Sequence, residues 1–179
     1  LFNQTKERET IMDNLQFAPV TMALGLSAIA AGTTSTLSST GVLPYAIRGK
    51  AFSRAAMANQ ATPTTDATTG LPFTPLTFPS NASTGGQGGV FVVGYDAAGA
   101  LRVSQGTPEP LDTAGNFINA PRFPVVVADA VCPIGYIVVR LGPTAVANWT
   151  FGTNNLSGVT GVTYSFVSIV GLPDRPQIA

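Results

Sequence analysis

The stretch GVFVVGYDAAGALRVSQGT, residues 89–107, decides the fold. Val90 to Tyr95 form an apolar arm, Asp96-Ala97-Ala98-Gly99 reads as a turn, and Leu101 to Ser104 form the return arm. On the return arm Leu101 and Val103 face one way while Arg102 and Ser104 face the other. That period of two belongs to a strand and not to a helix. The stretch therefore predicts a β-hairpin.

Upstream, YAIRGKAFSRAA (45–56) repeats the pattern. Two apolar-flanked arms surround Arg48-Gly49, and Gly49 supplies the positive φ that a tight hairpin turn needs. Residues 57–88 between the two hairpins carry four prolines and several glycines, which leave little room for a ladder. Leu71, Phe73, Leu76 and Phe78 could anchor this stretch across the body. GGQGG at 85–89 reads as a flexible connector. A phosphate cradle would require a following Lys and a helix, whereas VFVVGY follows.

Downstream, PEPLDTAGNFINAPRFP forms a second loop. PIGYIVVRL (133–141), NWTFG (148–152) and VTYSFVSIVG (162–171) have the Val, Ile, Tyr and Phe content of strands. Short strands joined by Gly- and Pro-rich connections predict an all-β fold, a β-sandwich or small barrel of antiparallel strands. No period of about 20–50 residues repeats, which argues against a solenoid.

The beginning of the chain differs in texture. Residues 1–17 hold five of the eighteen charges, and Ile11, Met12 and Leu15 have helical spacing, so a short helix or ordered arm is expected over Lys6 to Leu15. PVTMALGLSAIAAG (19–32) reads like the apolar part of a secretion signal and has an A-x-A-like ending at Ala28-Ile29-Ala30. Glu7, Glu9 and Asp13, however, offset Lys6 and Arg8 where a signal would be basic. The expected organisation is an N-terminal arm or interface segment, 1–44, and a β-rich body, 45–179.

Composition narrows the function. The chain has nine basic and nine acidic residues, net charge zero, and charged residues make up 10% of it, against roughly 25% in an ordinary soluble domain. The basic residues are scattered apart from Arg48, Lys50 and Arg54. This argues against nucleic acid as a partner, since phosphate recognition needs clustered Lys and Arg. No apolar run approaches the roughly 18 residues of a membrane helix. Low charge beside 45% apolar content favours an assembled state, with other copies covering part of the surface.

Catalytic chemistry finds little footing. Histidine is absent, so Ser-His-Asp and Cys-His arrangements are excluded. Cys132, the single cysteine, lies in AVCPIGY among apolar neighbours and reads as a buried small hydrophobe. Asp96, Glu109, Asp112 and Asp129 could supply an acid pair for glycoside hydrolysis. Asp96 and Asp112 sit in turn-like contexts, where Asp bonds its own backbone. TPTTDATTG and PLDTAGN offer oxygens without the spacing of an EF-hand calcium loop. Trp149 and Phe151, two residues apart, read as a core pair, and Arg48, Lys50 and Arg54 as a charged sheet edge. The N-x-[ST] triplets at Asn3, Asn81, Asn148 and Asn155 are expected by chance in a chain so rich in Ser and Thr. No catalytic, cofactor-binding or metal-ligating residue is assigned, and no cofactor is expected.

Taken together, YAIRGKAFSRAA, TPTTDATTG, GVFVVGYDAAGALRVSQGTPEPLD, FINAPRFP, CPIGY, WTFGTNNLSGVTGVTYSF and GLPDRP resemble small virion structural proteins of tailed bacteriophages. The likeness spans residues 45–176 and rests on ordered phrases, with no active-site motif. It implies a non-enzymatic, multi-copy virion component, most directly a capsid decoration or cement protein. The implied partners are the major capsid protein or another virion protein, together with further copies of this chain, a trimer being favoured. A head-fibre base, a tail or adaptor component, and a glycan-binding module are the alternatives.

Overall fold

The structure is a computed structural model that describes residues 21–80, 85–126, 130–173 and 175–177. The described residues form an all-β fold of eleven strands in three antiparallel sheets, with no helix. The helix expected over Lys6 to Leu15 lies outside them. The strands are β1 (Met22–Ala23), β2 (Ile29–Ala31), β3 (Thr36–Ser39), β4 (Leu43–Ile47), β5 (Lys50–Arg54) and β6 (Gln60–Ala61), followed by β7 (Gln87–Asp96), β8 (Leu101–Gln105), β9 (Glu109–Pro110), β10 (Val131–Leu141) and β11 (Val162–Ser168). The sheet orders are β1-β4-β5, β2-β3-β6 and β11-β10-β7-β8, with β9 also on β7; none closes into a barrel.

The β7–β10 ladder is the centre of the molecule. Val90 and Val92 point to one face of β7, and Phe91, Val93 and Tyr95 to the other, and both sets are buried. Burial on both faces explains why VFVVGY reads as an apolar run instead of an alternation. On β10 the register shifts between Pro133 and Gly135. Pro133 has no N–H to give the ladder, so a bulge there costs little. The extra residue changes parity. It lets Cys132 and Ile134 enter the same core as Ile137, Val139 and Leu141.

Each face has its own cover. The first packs against β4 through Tyr45, whose ring stacks on Tyr95 at 5.8 Å, and against Phe73, Trp149 and Phe151 around Phe91. The second is closed by Phe117, Phe123 and Val126 of the 111–126 segment and by Ile169. Phe123 meets Tyr136 edge-on at 5.0 Å, and the Gln177 N–H donates to the Tyr136 hydroxyl.

Both expected hairpins are present. In the first, Ile47 pairs with Lys50 around Arg48 (φ 51°) and Gly49 (φ 73°), the two positive φ values of a type I′ turn. In the second, Tyr95 pairs with Leu101 around the Asp96–Gly99 turn. The strands expected within 133–141 and 162–171 form as β10 and β11.

Three expectations change. NWTFG is not a strand: Trp149 makes a single two-bond bridge with Leu76. Asn154 Oδ1 takes the Thr150 N–H at 2.7 Å and Asn148 Oδ1 takes the Phe78 N–H, which closes the ladder at one rung. GGQGG is not a flexible connector, since β7 begins at Gln87. A Cβ on Gly88 would lie 2.6 Å from the Phe117 ring, and one on Gly85 or Gly86 would overlap the carbonyl of Leu111 or Leu141. These glycines permit close backbone approach. Finally, the boundary expected between an arm at 1–44 and a body at 45–179 falls inside β4. Ala23, Ile29, Leu37 and Leu43 belong to the same core as the rest.

The 57–80 stretch does wrap the body. Phe73 and Leu76 are buried anchors, whereas Leu71 and Phe78 are exposed. The Gln105 side-chain amide both accepts from the Thr74 N–H and donates to the Thr74 carbonyl, at 2.8 Å each, and so extends the sheet by a side chain.

Candidate functional site

The acids singled out by the sequence are used by turns. Asp96-Ala97-Ala98-Gly99-Ala100 and Asp112-Thr113-Ala114-Gly115-Asn116 are the same device built twice. In each, the Asp Oδ1 accepts from the backbone N–H two and four residues on, at 2.8–2.9 Å. In each, the glycine three residues on has positive φ and donates to the Asp carbonyl at 3.0 Å. Partial burial works against the Asp96 charge. The bonds from Ala100, Arg102 and Ala98 outweigh it and hold the carboxyl below its usual range. Asp112 is likewise held low, chiefly by the backbone and side-chain amides of Asn116. Carboxylates held ionised in this way are poor general acids.

Glu109 lies apart from these turns. It lines an open cleft of about 950 Å³ with Arg122, Arg175, Asn119 and Phe123, and Asp112 is not in that cleft. Of those candidate acids, Glu109 and Asp112 therefore do not line one cleft. Asp129, Asn3 and Asn81 lie outside the described residues. Among the described residues no group of three or more His, Cys, Asp or Glu side chains is placed to hold a metal ion.

Asp66 was missed as an individual residue. It is 6% exposed, and its carboxylate is saturated by backbone donors: Thr68 and Thr69 N–H on Oδ1 at 2.6 and 3.0 Å, and Gln105 N–H on Oδ2 at 2.7 Å. Gly70, with φ 71°, donates to the Asp66 carbonyl. The Thr68 hydroxyl lies 3.0 Å from Ser104 Oγ and donates to the Val125 carbonyl at 2.7 Å. TPTTDATTG is thus a structural clasp that fastens the 62–71 loop to β8. Its signal was available in the sequence: Asp66-Ala67-Thr68-Thr69-Gly70, an Asp with Thr and Gly just after it, as in an Asx turn. Only the tertiary contact with Gln105 shows that the acid is buried.

Cys132 is fully buried, and desolvation pushes its thiol up to about 11, so it is a neutral packing group at ordinary pH. Trp149 and Phe151 are both buried, with ring centroids 6.0 Å apart. The Trp149 indole N–H and the Tyr164 hydroxyl both donate to the Asn155 carbonyl at 3.0 Å. Burial pushes the Tyr164 hydroxyl up to about 12. These aromatics are structural, and they secure the 145–156 segment over Phe91.

The surface is left as the candidate site. Exposed large apolar residues include Met22, Leu24, Leu26, Val42, Val125 and Val146. Lys50 sits over the Phe52 ring at 5.6 Å, and the Arg54 side chain lies against Gly99. Lys50 and Arg54 lie on β5, an edge strand, where charge blocks pairing with other chains, and Arg48 lies in the turn before it. No protein-family model, curated protein or solved structure matches this chain.

Proposed function

We propose that this chain is a non-enzymatic structural component of a virus particle, a capsid decoration or cement protein. It binds between major capsid subunits as a homo-oligomer and stabilises the shell. The observation that carries the reading is the surface: bulky aliphatic side chains stand exposed on a chain with so few charges, as suits a face covered by neighbours. The Asp96, Asp112 and Asp66 carboxylates and the Cys132 thiol serve the fold, which leaves adhesion as the function best supported. The resemblance of residues 45–176 to tailed-phage virion proteins supplies the kind of particle.

Many equivalent contacts on a shell turn modest single-site binding into firm occupancy by raising the effective concentration of each partner. The test is to add the purified protein to particles stripped of it, then measure copies bound and resistance to heat. Saturable binding at hundreds of copies, with a raised rupture temperature, is expected. Binding at a handful of copies places the protein at a fibre base or tail, and no binding overturns the reading.

A further inference from the structure

The cleft that holds Glu109 sits on a hairpin opened by proline. Residues 106–111 and 117–122 run antiparallel. Leu111 bridges Phe117 near the tip, and the Ile118 N–H donates to the Pro110 carbonyl. At the base a Cβ on Gly106 would lie 2.7 Å from the Arg122 carbonyl oxygen. Pro108, Pro110 and Pro121 bring no N–H to this pairing, so the ladder lapses between those points. Among the described residues the N–H groups of Asn119, Ala120, Arg122 and Phe123 make no hydrogen bond. The cleft of about 950 Å³ opens there, with Thr107 and Glu109 on one arm and Asn119 and Arg122 on the other.

Arg175 reaches the same cleft from distant sequence. Pro176 beside it is buried, and the Gln177 N–H is held by the Tyr136 hydroxyl at 2.9 Å, so the backbone that carries Arg175 is anchored on both counts. Two guanidiniums thus share one cleft in a chain where charge is scarce. Among the described residues the ion pair formed is Arg102 with Asp96, and neither Arg122 nor Arg175 closes on Glu109. Positive charge exceeds negative in the cleft, and the opposite charges stand apart with room between them.

We propose that this cleft binds an extended acidic peptide segment of a partner protein, with one carboxylate between Arg122 and Arg175. The proposal deepens the functional reading and rests on its protein partner, not on the particle itself. A guanidinium offers a carboxylate paired N–H donors in a fixed fork. The open backbone of 119–123 offers the main-chain hydrogen bonds that an extended peptide takes. Glu109 accepts from a backbone N–H of such a peptide and repels a ligand that is anionic throughout. A base or sugar ring would stack on an open aromatic face. Phe123, the aromatic side chain of the lining, is instead engaged edge-on by Tyr136 at 5.0 Å.

Fluorescence anisotropy of a labelled, end-capped peptide of alternating Glu and Ser, titrated with the purified full chain at low salt, tests this. Saturable binding below millimolar concentration is expected, weakening as salt is added. The Arg122→Gln/Arg175→Gln double variant should weaken it about tenfold or more with an unchanged circular dichroism spectrum. Arg175→Lys should weaken it severalfold, since an ammonium cannot make the paired contact. Arg102→Gln, which removes a charge paired elsewhere with Asp96, should leave it unchanged. No binding up to millimolar concentration overturns the proposal, as does binding that the double variant keeps or that Arg102→Gln weakens as much. Inorganic phosphate or a heparin oligosaccharide that displaces the label as well as the unlabelled peptide does, at equal concentration, also overturns it by showing a site for charge alone. Particle occupancy is a separate measurement, so peptide binding and the cement role can each fail alone.

Discussion

The β7–β10 ladder and the β1–β4–β5 sheet both carry apolar side chains on two faces, the smaller sheet with Lys50 and Arg54 beside Ile47 and Leu43 on its inner side. They differ in what covers them. The ladder has Phe73, Trp149 and Phe151 on one side and Phe117, Phe123 and Ile169 on the other, all from its own chain. The smaller sheet has its inner face on the core, while Leu24, Leu26 and Val42 stand exposed. Apolar content alone therefore does not locate a core. A strand buried on both faces and a strand with an exposed apolar face read alike in sequence, and only long-range packing separates them.

The comparison can be broken hardest at the ladder. Phe91 touches Phe73, Trp149 and Phe151, at centroid distances of 6.1, 5.7 and 4.8 Å, and is fully buried. Phe91→Ala should cost about 4 kcal/mol, from lost transfer energy plus a cavity. Urea denaturation followed by Trp149 fluorescence measures it. A loss under about 1.5 kcal/mol, within the range of a volume-conserving swap, would mean the ladder is no better packed than the exposed sheet.

The next effect lies in the clasp that brings the 62–71 loop onto β8. Asp66→Ala strips the acceptor from three backbone N–H groups, and a cost of about 3 kcal/mol is expected. Asp66→Asn should recover part of it, because the amide oxygen still accepts. Proteolysis in the 62–71 loop should rise in both variants before global unfolding does.

The smallest effect is in the twin turns. Asp96 and Asp112 have folded-state pKa values below the unfolded one, so their stabilisation is complete above the unfolded value of about 4. It is lost as pH falls through the folded values. Thermal stability should therefore decline below about pH 4, and the Asp96→Asn/Asp112→Asn double variant should show a shallower decline. An unchanged slope would remove these carboxylates from the acid sensitivity of the fold.

Legibility in the sequence followed the range of the interactions. The Arg48-Gly49 and Asp96–Gly99 turns were readable because their bonds close within a few residues. Cys132 and Trp149 were readable as packing groups from their apolar neighbours. GGQGG misled because a glycine needed for close approach looks the same as a glycine left flexible; Phe117, Leu111 and Leu141 decide between them. NWTFG misled because β propensity cannot show that Asn154 will take the Thr150 N–H. Asp66 escaped notice because its third donor, Gln105, is 39 residues away.

Two things were settled by the amino-acid order alone: strands with tight turns, which follow from alternation and from φ angles that glycine permits, and the absence of histidine-based chemistry. Which apolar faces meet each other was decided in three dimensions. A bulge at Pro133–Gly135 set the parity of β10, and long-range pairing brought residues 21–44 into the core while leaving Leu24, Leu26 and Val42 facing outward. Turn geometry is a local property of the backbone. Burial is a property of the whole chain, since a side chain is covered only when residues distant in sequence arrive over it.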